Sequence, residues 1–149
     1  MIVYQDSGVP KAGAIVARKY RVDGELGSGG MGIVLSGTHL ALAKRVAIKV
    51  LRPGAVPRPL AEKRFALEVR MAAALRDEHA VRIYDVGQLD DGQPYMAMEL
   101  LVGSDLDDLV TCRGPLPLAE AATYTLQACA ALAEAHSLGL VHRDVKPAN

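Results

Sequence analysis

The segment LVHRDVKPAN, residues 140–149 of the 149-residue chain, places three side chains suited to phosphate chemistry close together. Asp144 can orient a hydroxyl group and accept its proton, Lys146 can offset the charge of a phosphoryl group, and the amide oxygen of Asn149 can bind a hard cation such as Mg²⁺. Because Pro147 disfavours a continued helix, the segment is predicted to be a loop in which these side chains converge. The residue types alone also fit a polar surface loop.

A glycine-rich segment, GSGGMG at residues 27–32, is the second candidate. Glycines let a backbone approach phosphate oxygens where a Cβ atom would obstruct it. A dinucleotide-binding fold needs a helix after such a loop and a Walker loop needs Gly-Lys-Ser/Thr, whereas here a strand pattern follows and includes Val34. The pattern predicts a hairpin that could cover a nucleotide, and it equally fits a glycine-rich hairpin with no ligand.

A lysine and a glutamate form the third candidate. Lys49 ends the apolar strand pattern VAIK, and an inward-facing ammonium needs a counter-charge because an unpaired buried charge costs several kcal/mol. Glu68 shares one stripe of the next helix with Phe65, Ala72 and Leu75, so it lies with the apolar face. The two are predicted to pair. A lysine pointing to water from an edge strand, and a glutamate at the boundary of the apolar stripe, are the alternatives.

Sequence periodicity predicts the sheet and helix that position these residues. Residues 20–51 alternate β-branched and polar residues around glycines, which predicts three short antiparallel strands, and a later segment predicts two more around a turn. Between them, a run of strong helix formers predicts a helix over about residues 60–76. The first part of the chain is therefore expected to be a five-stranded sheet with one helix.

Two helices are predicted in the last third of the chain. The first is short and opens at Ser104 or Asp105 as its N-cap, and the second is long and ends at Gly139. Spacings of three and four residues predict that one face of the long helix is buried. That face consists of Leu118, Ala122, Leu126, Cys129, Ala133 and His136.

The composition narrows the classes of partner. The 17 Lys and Arg residues balance the 17 Asp and Glu residues, so the net charge predicts neither a nucleic acid nor an anionic membrane as partner. No stretch reaches the ~18 apolar residues that a membrane span needs, and no signal-peptide pattern occurs. Cys112 and Cys129 lie in no metal-ligand spacing and are expected to be buried thiols in a reducing compartment. We therefore expect a cytoplasmic domain, and the question of a membrane anchor downstream stays open.

Four motifs together, LGSGGMGIV, VAIK, Glu68 in its helix and HRDVKPAN, occur in the order and rough spacing of the protein kinase superfamily. Over about residues 20–149 the chain resembles a bacterial serine/threonine protein kinase of the eukaryotic-like type. The resemblance implies an α+β, two-lobed fold with an N-lobe and hinge at 19–102 and the start of a C-lobe at 103–149. Residues 1–18, which mix glycine, proline and polar residues, are expected to be a loosely ordered leader. The resemblance also implies ATP-dependent phosphorylation of serine or threonine in a protein substrate.

The resemblance implies a role for each matching residue. Asp144 would be the catalytic base and Lys146 the γ-phosphate contact, while Lys49, paired to Glu68, would hold the α- and β-phosphates. Asn149 would bind Mg²⁺. The residues implied to bind ATP are Leu26, Gly27, Ser28, Gly29, Gly30, Met31, Gly32, Ile33, Val34, Ala47, Lys49, Met98, Glu99, Leu101 and Asp105.

Within the ATP site, the resemblance assigns particular contacts to the adenine ring. Leu26, Val34 and Ala47 would enclose the ring, the Glu99 carbonyl and the Leu101 amide would bond its edge, and the side chain at position 98 would act as gatekeeper. Asp105 would contact the ribose.

The 149 residues match only part of the family pattern. They contain no Asp-Phe-Gly segment, so these residues alone are expected to be inactive and poorly soluble. The alternative hypothesis is a non-catalytic fragment that binds a nucleotide or a kinase partner.

Overall fold

A computed structural model describes residues 9–29, 32–51 and 58–148. The described chain forms one antiparallel sheet with a helix on one face, followed by two further helices and a polar loop. The elements are β1 (Ile15–Val16), β2 (Tyr20–Ser28), β3 (Gly32–His39), β4 (Lys44–Leu51), α1 (Arg58–Ala74), β5 (Ile83–Gln88), β6 (Pro94–Glu99), α2 (Leu106–Arg113) and α3 (Leu118–Ser137).

The sheet has the strand order β1-β2-β3-β4-β6-β5, and every neighbouring pair is antiparallel. Strands β2 to β6 are the five strands predicted from the sequence, and α1 is the predicted helix. The α+β expectation is therefore confirmed. The structure adds a sixth strand, β1, at the edge beside β2.

The segment before β2 contributes more to the fold than the sequence suggested. Val16 pairs with Tyr20, and Ala14 and Val16 are both buried. The amide of Val22 donates to the Ala14 carbonyl at 2.9 Å, which extends the pairing. A two-residue strand is too short for its periodicity to be read, and its pairing with β2 decides its conformation. Residues 14–16 thus belong to the sheet, although we expected a loosely ordered leader there.

The two faces of the sheet pack into two separate cores, because successive side chains of a strand point to opposite faces. The larger core consists of Val16, Tyr20, Val22, Ile33, Leu35, Val46, Ile48, Val50, Leu89, Tyr95 and Ala97. The smaller core consists of Leu51, Ala61, Phe65 and Met96, and it is here that α1 packs on the sheet. Along β4, Val46, Ile48 and Val50 therefore face the larger core, whereas Ala47, Lys49 and Leu51 face the side of α1.

The Asp85 carboxylate closes the larger core. Its Oδ2 accepts hydrogen bonds from Lys19 Nζ at 2.8 Å, from the Tyr20 hydroxyl at 3.1 Å and from the Tyr95 hydroxyl at 2.9 Å. Tyr20 belongs to β2 and Asp85 to β5, which lie at opposite sides of the strand order. The sheet must therefore curl around its larger core until these two strands meet.

The same contacts shift three pKa values. Burial and the hydrogen bond to Asp85 raise the pKa of Tyr20 to about 12, and the same causes raise the pKa of Tyr95 further. Burial alone would raise the pKa of Asp85, but the hydrogen bonds from Lys19, Tyr95 and Tyr20 outweigh it and hold that pKa below its ordinary value. Asp85 is thus stabilised in its charged form.

The helices α2 and α3 begin and end as predicted. Asp105 is the N-cap of α2, with its Oδ1 accepting from the Asp108 amide at 2.8 Å, and Gly139 follows α3 with a φ of 73°. No helix among the described residues is both long and apolar enough to cross a bilayer.

The prediction that one face of α3 is buried is wrong for the described residues. Leu118 and Leu126 are 86% and 70% exposed, and only Ala135 of this helix is buried. Cys112 and Cys129 are exposed as well, so the expectation of buried thiols is also wrong. Helical periodicity identifies an apolar face, but burial also needs a neighbouring element to cover it.

We predict that Asp85→Asn lowers the free energy of unfolding by about 1–2 kcal/mol at neutral pH, since three donors lose a charged acceptor. The lowered pKa of Asp85 sets the pH dependence. Its contribution is present above the ordinary carboxyl pKa of about 4 and is lost as the pH falls through the lower value of the folded state. Urea unfolding at pH 7 and pH 3 measures both effects. Asp90→Asn, an exposed carboxylate in the β5–β6 turn, is the control. A loss that stays the same at pH 3 would contradict the assignment.

Candidate active site

A lysine and a glutamate from different elements meet on the smaller-core face of the sheet. The Lys49 ammonium on β4 donates a hydrogen bond to Glu68 Oε1 on α1. Their side chains are 22% and 39% exposed, so the ion pair lies at the edge of the apolar core and still contacts water. The structure thus brings together the two residues that the sequence predicted to pair. The alternative of a lysine that points to water from an edge strand is excluded, because β4 lies between β3 and β6.

Packing of α1 places Glu68 opposite Lys49. Ala61 and Phe65 of the helix are buried against Leu51 and Met96 of the sheet. Phe65 and Glu68 are three residues apart, so they lie on the same side of the helix. The apolar contact of Phe65 therefore directs Glu68 toward the sheet.

Two residues expected around the adenine ring share this face with Lys49. Val34 is the register partner of Lys49, and Ala47 is the register partner of Met98. Ala47 is buried and Val34 is half-buried, which gives a small apolar surface beside the ammonium. Leu26 on β2 is half exposed to water.

The prediction that Ile33 helps to bind a nucleotide does not hold for its side chain. Ile33 is 5% exposed and packs in the larger core, on the opposite face of the sheet from Val34 and Lys49. Strict alternation from Val34 already determines this, because neighbouring residues of a strand cannot share a face. Only the backbone of Ile33 can belong to the site.

The glycine segment forms a tight hairpin between β2 and β3. Gly27 pairs with Val34 and Ser28 with Ile33, and the amide of Gly29 donates to the Gly32 carbonyl at 2.9 Å. The strands therefore stay paired up to the tip, as the predicted hairpin requires. Gly30 and Met31, also expected to bind ATP, lie outside the described residues.

The hinge residues lie at the end of β6 and just after it. The Glu99 amide donates to the Arg82 carbonyl at 2.9 Å, while Met98 is partly buried at the edge of the smaller core. Leu101 is 67% exposed. The backbone roles predicted for Glu99 and Leu101 stay predictions. Asp105 uses one carboxylate oxygen to cap α2, and its expected contact with ribose stays a prediction.

The polar loop after α3 brings Asp144 and Lys146 into contact. Lys146 Nζ lies 2.9 Å from Asp144 Oδ2, and the Asp144 amide donates to His142 Nδ1 at 3.3 Å. Arg143 has a φ of +64°, which turns the chain sharply between these residues. The Pro147 carbonyl accepts from the amide at the start of α2 at 3.0 Å, which ties the end of the loop to that helix.

The predicted Mg²⁺ ligand Asn149 lies outside the described residues. Within the described part of the chain, no three His, Cys, Asp or Glu side chains form a cluster suited to a metal ion. The assignment of Asn149 as the metal ligand therefore stays a prediction.

One long-range contact between α3 and the segment after α1 was not predicted from the sequence. Glu134 on α3 accepts hydrogen bonds from two backbone amides that follow α1, those of Arg76 and Asp77. Fifty-seven residues separate Glu134 from Asp77, and Glu134 lies in no motif, so no local sequence signal marks this contact.

Known proteins are similar to this chain in sequence and in structure. Residues 20–149 match the protein kinase domain family. A probable serine/threonine-protein kinase of Corynebacterium efficiens is 38% identical over 91% of this chain, and the serine/threonine-protein kinase PknB of Mycobacterium leprae is 39% identical over 88%. The kinase domain of Mycobacterium tuberculosis PknI superposes with a TM-score of 0.79 at 34% identity over 95% of this chain.

The chain is shorter than these proteins. It covers 21% of the Corynebacterium efficiens relative, 22% of the Mycobacterium leprae relative and 56% of the solved PknI kinase domain. The family match nevertheless spans strands β2 to β6, the Lys49–Glu68 pair and the loop with Asp144. This chain therefore belongs to the protein kinase domain family.

Proposed function

We propose that this chain binds ATP with Mg²⁺ under the glycine hairpin and contributes to the transfer of a phosphoryl group to serine or threonine in a protein substrate. The observation that carries the proposal is the Lys49–Glu68 ion pair, which lies on the same face of the sheet as Val34 and Ala47. The names of the relatives, which are serine/threonine-protein kinases, support the same class of reaction.

The residues around Lys49 fit a nucleotide. The ammonium has three hydrogen-bond donors, and the pair with Glu68 fixes its position while leaving two donors for phosphate oxygens. The apolar surface of Val34 and Ala47 suits a flat base beside those phosphates. In the hairpin, a Cβ atom added at Gly29 would meet no atom within 4 Å, so its backbone is open to an approaching ligand.

The residues after α3 fit the acceptor side of the reaction. Asp144 would orient the serine or threonine hydroxyl and accept its proton, and its carboxylate lies 2.9 Å from the ammonium of Lys146. Lys146 would offset negative charge on the phosphoryl group during transfer. When bound, ATP supplies that group and Mg²⁺ neutralises part of the phosphate charge. The chain thus acts by positioning and electrostatics, without a covalent intermediate.

We predict that Lys49→Met weakens Mg²⁺-ATP binding about tenfold or more, because charge-assisted hydrogen bonds to phosphate contribute about 1.5–3 kcal/mol. Isothermal titration calorimetry of the chain with Mg²⁺-ATP measures this. Lys63→Met, which removes an exposed ammonium from α1, is the matched control and should bind as the unchanged chain does. Equal affinity of the two variants would contradict the assignment of Lys49.

The two described ends of the glycine hairpin should respond differently to alanine. A Cβ atom at Gly32 would lie 2.6 Å from the Val50 carbonyl oxygen, so Gly32→Ala should lower the free energy of unfolding by about 1–3 kcal/mol. Gly29→Ala has room and should stay within about 0.5 kcal/mol, yet it should weaken Mg²⁺-ATP binding. Urea unfolding and calorimetry separate the two effects. Unchanged nucleotide affinity in Gly29→Ala would mean that the hairpin does not cover the phosphates.

Phosphoryl transfer itself is tested in the protein that carries these residues. We expect transfer from Mg²⁺-ATP to serine and threonine of a protein acceptor, and we expect Asp144→Asn to slow it by about 10²–10⁴-fold with nucleotide affinity nearly unchanged. Phosphoamino-acid analysis of the product identifies the acceptor. Nucleotide binding without any transfer by the unchanged protein would instead favour the non-catalytic alternative.

A further inference from the structure

Glu134 connects two parts of the fold that are far apart in sequence. Its Oε2 accepts a hydrogen bond from the Arg76 amide and another from the Asp77 amide, both at 2.8 Å. These amides follow the last residue of α1, whereas Glu134 lies near the end of α3. One carboxylate oxygen therefore joins the end of α1 to α3.

The turn that Glu134 holds is itself well ordered by local hydrogen bonds. Asp77 Oδ1 accepts from the His79 amide and contacts His79 Nδ1, each at 2.8 Å, and the Ala80 amide donates to the Asp77 carbonyl at 3.1 Å. Such side-chain to backbone bonds fix a turn. Because this turn directly follows α1, a hydrogen bond that holds the turn also restrains the end of α1.

Helix α1 has two different attachments, one along the sheet and one just beyond its last residue. Ala61 and Phe65 are buried against the sheet, and Val69 packs against the same core. In the last turn, Ala73 and Ala74 are exposed. The contact with Glu134, just beyond the last turn, supplies the second attachment.

The other end of the connection leads to Asp144. Ala135, next to Glu134, is buried, and its carbonyl accepts from the Leu140 amide at 2.9 Å as the chain leaves α3. Glu134 and Asp144 are ten residues apart in the sequence. Glu134 therefore contacts the end of the helix that carries Glu68, and it lies close in sequence to the segment that leads into the loop with Asp144.

We propose that Glu134 is a positioning residue that fixes the end of α1 against α3 and thereby keeps Glu68 in contact with Lys49. This inference deepens the proposed function, since it concerns the ion pair that would hold the nucleotide. Without the carboxylate, only the packing of Ala61, Phe65 and Val69 on the sheet holds α1, and Glu68 leaves Lys49 for part of the time.

The test measures the Lys49–Glu68 pair directly, in the absence of nucleotide. Acetic anhydride acylates the neutral amine of a lysine, so an ammonium held in an ion pair reacts more slowly, and mass spectrometry of the digested chain gives the rate at each lysine. We expect Glu134→Ala to raise the acylation rate of Lys49 about threefold, the size expected for loss of a partly exposed ion pair. Lys63, exposed on α1, serves as the internal reference and should keep its rate.

Three further variants separate the proposed role from general stabilisation. Glu134→Gln keeps an oxygen that can accept both amide hydrogen bonds, so it should restore most of the protection of Lys49. Glu68→Gln is the positive control, and Glu78→Ala, an exposed carboxylate in the turn after α1, should leave Lys49 protected. All rates are measured below the unfolding transition of each variant.

Two results would overturn the proposal. If Glu134→Ala lowers the unfolding temperature but Lys49 keeps its acylation rate, Glu134 only stabilises the fold. If Glu78→Ala exposes Lys49 as much as Glu134→Ala does, the effect belongs to the turn in general. Because no nucleotide or phosphoryl transfer is needed, failure of this test is distinct from failure of the proposed function.

Discussion

Alternation along β4 is the constraint on which the candidate site depends. The strand lies between β3 and β6, so both of its faces must be covered or used. Val46, Ile48 and Val50 fill the larger core, which leaves Ala47 and Lys49 on the other face. An ammonium in such a central strand is tolerable only with a counter-charge, and Glu68 supplies it from α1. A single strand thus anchors the fold with one face and presents the site with the other.

Because of this alternation, the contacts that stabilise the sheet and the residues assigned to nucleotide binding lie mostly on opposite faces. The hydrogen bonds that close the curled sheet converge on Asp85, on the side of the larger core, and they contact no residue assigned to nucleotide binding. The smaller core has few members, and it holds α1 mainly through Ala61 and Phe65. The rigid part of the sheet therefore carries Lys49, whereas its partner Glu68 lies on a less firmly held helix. The relative position of the two charges is the more easily changed feature of the site.

How far the sequence predicted this structure depends on the range of each interaction. Strands β2 to β6 and all three helices were predictable because period and capping residues are local signals, and Asp105 caps α2 as expected. The edge strand β1 was missed because two residues carry no period. The buried face expected for α3 was wrong because a helical stripe does not tell which element covers it. The side chain of Ile33 lies on the opposite face from Val34, as alternation along the strand already determines, so only its backbone can take part in the predicted site.

The Lys49–Glu68 pair and the Glu134 contact show where prediction from sequence ends. Lys49 and Glu68 were predictable because each is an unusual charge in an apolar pattern, so each needs a partner. Glu134 is one of two carboxylates on a helix that is largely exposed, and nothing in the sequence around it distinguishes it from a solvated carboxylate. Its partners are backbone amides, which every residue except proline possesses, so no side-chain pattern can reveal them. Contacts between a side chain and a distant backbone can therefore be identified only from a structure, and here such a contact joins the end of α1 to α3.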